Sequence, residues 1–93
     1  MFEESSNLEF GTVSFGIISD KETKEFAVAF SKQHKNAPKA ILVSYETYGY
    51  FYGSCHVFTA TMSNTGFKGN LIPIEIGNGQ GKWTIHWIAL WDN

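Results

Sequence analysis

The 93 residues carry seven Lys plus Arg against nine Asp plus Glu, a net charge of −2, which is one domain's worth of chain. Aromatic residues reach 16% and charged residues only 17%, a balance that excludes a disordered tail and favours a packed, aromatic-rich core. Every basic residue is a lysine, so the usual bidentate reader of guanine and phosphate is missing and no nucleic-acid partner is expected. Lys21, Lys24, Lys32, Lys35 and Lys39 cluster, but Asp20, Glu22 and Glu25 interleave with the first of them and make an ordinary solvated surface.

A domain this small often needs a metal, disulfides or partner subunits to be stable. The single cysteine, Cys55, cannot form an intrachain bridge and reads as a small core residue between Ser54 and His56. No apolar run approaches the roughly 18 residues of a membrane span. Met1-Phe2-Glu3-Glu4-Ser5 is acidic where a signal peptide would be basic and then apolar, so a soluble, unprocessed chain without membrane insertion is expected.

In chain order the periodicity is two. After a lead-in over residues 1–7, Leu8 and Phe10, then Val13, Phe15 and Ile17, alternate with polar or small residues, and Gly11 between them marks a bulge or bend. Phe26, Val28 and Phe30 give a second strand with one buried face. Ser31 to Pro38 is a loop. Lys39 to Tyr48 is a third strand, with Ile41, Val43 and Tyr45 on one face and Leu42, Ser44 and Glu46 on the other, which implies packing on both sides.

Gly49 and Gly53 bracket Tyr50-Phe51-Tyr52, placing aromatic rings where a polar turn is expected. A fourth strand alternates Cys55, Val57, Thr59 and Thr61 with His56, Phe58, Ala60 and Met62, and stops at Ser63-Asn64-Thr65-Gly66. Phe67 restarts the chain, and Asn70 to Ile76 reads as a short strand whose Pro73 suits an edge or a bulge. Gly77-Asn78-Gly79-Gln80-Gly81 is a hairpin loop. The last strand is the clearest: Trp83, Ile85, Trp87, Ala89 and Trp91 share one face, Thr84, His86, Ile88 and Leu90 the other. That tryptophan face lies either between two sheets or partly in a subunit contact. Five or six short strands with no helical stretch make a small antiparallel sandwich or barrel, all-β.

Catalytic and metal signatures are missing. His34, His56 and His86 fall in three separate elements, Cys55 beside His56 has no nucleophile motif around it, and the glycine loop lacks the Lys-Ser/Thr of a phosphate cradle. No enzyme activity and no cofactor are expected. Binding by surface groups remains: Tyr48, Tyr50, Phe51 and Tyr52 beside Glu46 or Ser54 offer rings and polar groups suited to a sugar, or else they close the core's end or pack on a neighbouring subunit.

The order of Phe10-Gly11-Thr12-Val13, Phe26-Ala27-Val28-Ala29-Phe30, Pro38-Lys39-Ala40-Ile41-Leu42-Val43-Ser44, Ser63-Asn64-Thr65-Gly66-Phe67-Lys68 and Trp83-Thr84-Ile85-His86-Trp87-Ile88-Ala89 resembles the H-type lectin domain over nearly the whole chain. The resemblance implies a six-stranded antiparallel sandwich assembled as a homotrimer, binding a galactose or N-acetylgalactosamine type of glycan at the ends of the subunit interfaces. It implies that the trimer covers an apolar face such as that of Cys55, Val57 and Thr59, or that of the last strand.

The family's acidic sugar ligand corresponds to Asp20. Its arginine falls near Ser54 and its Trp-His pair near Ile74-Glu75, so the family's bidentate donor and stacking ring have no counterpart, and Tyr50 and Tyr52 stand as the replacement rings. The expected carbohydrate site joins Asp20, Tyr50, Tyr52, Ser54 and Glu75. The expected role is cell-surface glycan recognition, as in a phage tail or receptor-binding module; the alternative is a trimerisation or capping domain of a fibre or virion with no sugar ligand.

Overall fold

The alternation folds into six strands, β1 (Leu8–Ser14), β2 (Lys24–Ala29), β3 (Ala40–Thr47), β4 (Gly53–Met62), β5 (Gly66–Ile76) and β6 (Trp83–Leu90), in a computed structural model that describes residues 7–49 and 51–92. They form two three-stranded sheets, ordered β1-β6-β3 and β2-β5-β4, antiparallel throughout. This is the all-β architecture expected from the period-two pattern.

β6 is the centre of the first sheet, and its Trp83, Ile85, Trp87 and Ala89 are buried. They point between the sheets, where Phe67 of β5 meets the Trp87 ring edge-on at 5.4 Å between centroids and Phe26 of β2 meets Phe67 at 6.2 Å. Edge-to-face pairs of this kind add about 0.5–1.5 kcal/mol each to the burial of the rings themselves. The tryptophan face is therefore core. Between the two positions open to it, the chain places it between sheets.

Four details of the strands differ from the sequence expectation. Leu8 and Phe10 face outward, Phe10 at 72% exposure, while Glu9 is buried. No bulge occurs at Gly11, because β1 pairs with β6 without interruption from Leu8↔Leu90 to Ser14↔Thr84. The glycine is there for space: a Cβ at Gly11 would stand 3.1 Å from the Trp87 ring.

The face of Cys55, Val57 and Thr59 also points into the sandwich, with Cys55 buried and Val57 packed on the core cluster. The sheets themselves already cover it, so it is not open to a neighbouring subunit.

β5, finally, is longer than Asn70 to Ile76 and is the central strand of its sheet. Pro73 is tolerated there because β2 ends its pairing at Lys24↔Leu71, and the β4 register shifts between Ser54↔Glu75 and Cys55↔Pro73, which leaves Ile74 as the extra residue of a bulge.

The sandwich has two ends. One gathers the β2–β3 loop and the β4–β5 turn; the other gathers the β1–β2, β3–β4 and β5–β6 connections. At the second end Ile18 bridges Gly81 through hydrogen bonds of 2.8 and 2.7 Å, and Gly77–Gly79 makes a single 3-10 turn.

Candidate functional site

The second end carries the residues picked out by the sequence. Ser54 and Glu75 are direct register partners on β4 and β5, which puts their side chains about 5 Å apart at Cβ on one face. Tyr52 precedes β4 by one residue, and its ring is half-exposed at 50%. The Tyr52 carbonyl accepts the Gly77 N–H at 2.9 Å, and a Cβ at Gly77 would stand 2.4 Å from the Tyr52 ring. The β5–β6 turn is thus shaped to seat that ring, and any side chain at Gly77 would displace it.

Asp20 is placed differently. It lies in the β1–β2 loop, ahead of the edge strand β2, whereas Ser54 is on the opposite edge strand β4 with β5 between them. Its carboxylate accepts from Lys24 Nζ at 2.7 Å and from the Glu22 N–H at 2.9 Å. The Lys24 hydrogen bond, with the Glu22 amide behind it, holds the Asp20 carboxyl below its ordinary range. Tyr52, Ser54 and Glu75 are therefore brought together, whereas the hydrogen bonds given to Asp20 are those with Glu22 and Lys24 beside it in the chain. Tyr50 lies outside the described residues.

One further group at this end, Lys82, carries no signal in sequence. Lys82 donates its backbone N–H to the Phe51 carbonyl at 3.2 Å, and its ammonium stands 5.2 Å over the Tyr48 ring, within cation–π range. Tyr48 in turn hydrogen-bonds Thr84 Oγ1 through its hydroxyl at 2.5 Å. Beneath them the Trp83 indole is fully buried, and its Nε1–H has no hydrogen-bond partner among the described residues.

The chemistry on offer is a ring face, a carboxylate, a hydroxyl and an ammonium at an open end of the molecule. Among the described residues no three of His, Cys, Asp and Glu gather as a metal site would need. Burial pushes the Cys55 thiol up to about 11, so it is a poor nucleophile at neutral pH. A separate groove of about 370 Å³ crosses the outer face of the second sheet between Glu25, Lys68 and Asn70.

The opposite end contains a cluster the sequence reading missed. Glu9, buried on β1, accepts from the Ser31 and Lys32 backbone N–H groups at 2.8 and 3.1 Å, from Ser31 Oγ at 3.1 Å and from His34 Nε2 at 2.8 Å. The His34 ring stacks flat on Trp91 at 3.6 Å. Burial by itself would raise the Glu9 pKa, but the His34, Ser31 and Lys32 hydrogen bonds outweigh it and hold the carboxyl below its ordinary value. This is a latch that closes the β2–β3 loop over the core.

Comparison with protein-family models and with curated protein sequences finds no match to this chain.

Proposed function

We propose that the chain is a non-catalytic carbohydrate-binding domain of the H-type lectin kind, acting in glycan recognition as a homotrimer, with its sugar site around Tyr52, Ser54 and Glu75. The observation that carries this reading is the juxtaposition, on neighbouring strands at one end, of a half-exposed ring with a carboxylate and a hydroxyl. A pyranose presents a C–H face that stacks on an aromatic ring and hydroxyls that need both acceptors and donors. Glu75 supplies the acceptor, Ser54 and Lys82 supply donors, and Tyr52 the platform. A galactose or N-acetylgalactosamine type of sugar is the ligand class that the resemblance favours. Asp20, ahead of the other edge strand, enters as a contribution to a neighbouring copy's site.

A second reading, an assembly domain of a fibre or virion without sugar, is favoured by the uncovered apolar residues of the first sheet, Phe10, Leu42 and Ile88 at 72, 59 and 41% exposure. A glycan array run on the wild type and Tyr52→Ala, with mass measured by light scattering in the same buffer, separates the two. Sugar-selective signal lost in Tyr52→Ala supports the lectin. An oligomer silent on every glycan supports assembly alone, and signal unchanged in Tyr52→Ala removes the site.

A further inference from the structure

The β2–β3 loop, residues 31–39, has both ends fixed by the sheets. Just before it the Phe30 N–H donates to the Thr65 carbonyl at 2.9 Å, and at its close the Lys39 N–H donates to the Leu90 carbonyl at 2.8 Å. Between these anchors the loop buries little: Ser31, Lys32, Gln33, Lys35, Asn36 and Ala37 are exposed, and what enters the molecule is Pro38 and the His34 side chain. The imidazole stands between two cavities, one of about 370 Å³ against Phe30, Asn64 and Thr65 and one of about 240 Å³ against Asn7, Trp91 and Asp92. Polar contacts therefore hold the loop more than packing does. Besides the four hydrogen bonds to Glu9, the His34 carbonyl accepts from Asn64 Nδ2 at 3.0 Å and the Asn36 carbonyl from Trp91 Nε1 at 2.9 Å.

From this we infer that residues 31–39 form a lid that acid releases as a unit, with protonation of Glu9 as the trigger, while both sheets stay paired beneath it. The lid does not depend on whether the chain binds a sugar. Its opening is local because the pairing of β1 and β3 with β6, from Leu8↔Leu90 and Ala40↔Leu90 onward, uses none of the loop's contacts with Glu9. Opening uncovers Phe30 and Trp91, whose rings meet edge-on at 4.8 Å, and turns a polar end of the molecule into an apolar one.

The trigger follows from the chemistry of the contact. A carboxylate only accepts, and the Ser31 and Lys32 amides, Ser31 Oγ and His34 Nε2 all donate to it. A protonated Glu9 would bring an O–H into that ring of donors. His34 Nε2 donates whether or not its ring carries a second proton, so ionisation of the histidine leaves the contact intact. The charges of the loop are one-sided: it holds Lys32, His34, Lys35 and Lys39 and no Asp or Glu. Among the described residues the carboxylates bonded to it are Glu9 from β1 and, after β6, Asp92, 3.0 Å from Lys39 Nζ with both side chains exposed. The β4–β5 turn adds uncharged Ser63, Asn64 and Thr65. Once acid neutralises the carboxylates, the loop's cations repel one another without a counter-charge. Burial raises the Glu9 pKa, and the His34, Ser31 and Lys32 hydrogen bonds lower it by more, to below its ordinary 4.5. The closed lid is therefore fully favoured above that value and released as pH falls through the lowered one.

The test is amide and indole hydrogen exchange, read by NMR on the full chain from about pH 6 to about pH 3, with each rate taken relative to that of an unstructured chain. Acid strips protection from the Ser31 and Lys32 amides and from the Trp91 indole N–H, by up to about tenfold per pH unit below the Glu9 ionisation. The Ile85 and Trp87 amides of β6 and the far-UV circular dichroism keep their neutral values. Ser31→Ala, which removes one donor and leaves the others, moves the release to higher pH, and Asp92→Asn leaves it in place. Glu9→Gln lowers the protection already at neutral pH and removes its dependence on acid. Protection lost at Ser31 and Lys32 in step with Ile85 and Trp87 means that the whole sandwich unfolds, which overturns the lid, as does protection that persists to about pH 3. A release unmoved by Ser31→Ala, or moved by Asp92→Asn, overturns the assignment of the trigger to Glu9.

Discussion

Replacing Glu9 is the sharpest test of how the fold is held at the end that carries the β2–β3 loop. Its carboxylate accepts four hydrogen bonds, from Ser31 N–H, Ser31 Oγ, Lys32 N–H and His34 Nε2, with the Glu9 and His34 side chains only 7 and 6% exposed. Each charge-assisted bond is worth about 1.5–3 kcal/mol, and a buried donor left without an acceptor costs about 1–3 kcal/mol. These terms overlap rather than add, and removal of one member of a buried pair costs about 3–5 kcal/mol. Glu9→Ala is accordingly expected to lose about 3–5 kcal/mol, a large share of the 5–15 kcal/mol that a native protein holds. Glu9→Gln, which keeps an acceptor oxygen without the charge, should lose less.

The assay is urea unfolding followed by tryptophan fluorescence, since Trp91 stacks on His34 within the latch. Acid should act in the same direction. The Glu9 pKa is lowered in the folded chain from an ordinary value of 4.5. Its contribution is therefore fully present above that value and lost as pH falls through the lowered folded one. Glu9→Gln should lack this acid-dependent part. A loss below about 1 kcal/mol in Glu9→Ala would refute the latch, because no buried pair with stranded donors is that cheap to break.

Two other outcomes follow from burial and space. Cys55, buried with its thiol pushed up to about 11, should react with a maleimide at pH 7 only as fast as the chain opens, and labelling at the rate of a free thiol would contradict its place in the core. Gly81→Ala would set a Cβ 2.3 Å from the Trp83 ring, in a core with no room to give. It should lower stability by about 1–3 kcal/mol, read as a drop in melting temperature, and an unchanged melting temperature would show the ring to be free to move.

Much of the fold was legible because its signal is local. The alternation of Trp83, Ile85, Trp87 and Ala89 with Thr84, His86 and Ile88 states both faces of β6, and the structure buries the first set. β1 was misread for the opposite reason. Nothing within Leu8–Ser14 says that Glu9 rather than Phe10 is buried, because the donors that make a buried carboxylate tolerable lie 22 to 25 residues away in the β2–β3 loop. Gly11 was legible as an exception but not as to kind, and Pro73 as the mark of a bulge but not of a central strand. One clears space for Trp87, and the other sits in a central strand where pairing with β2 has already stopped.

The candidate site divides along the same line. Tyr52, Ser54 and the turn before them are neighbours in sequence, while Glu75 joins them only through the β4–β5 register. Lys82 reaches Tyr48 across 34 positions, which the sequence alone gives no reason to pair. The pairing of His86 with Glu46 depends likewise on β3 lying beside β6.

The most direct test of the carbohydrate reading is a ¹⁵N amide titration of the full chain with N-acetylgalactosamine, compared with Tyr52→Ala under the same conditions. The account predicts saturable shifts confined to the amides around Gly53–Cys55, Glu75–Gly77 and Lys82, absent in Tyr52→Ala. Saturable shifts centred elsewhere, such as the groove of Glu25, Lys68 and Asn70, or shifts unchanged in Tyr52→Ala, would contradict it.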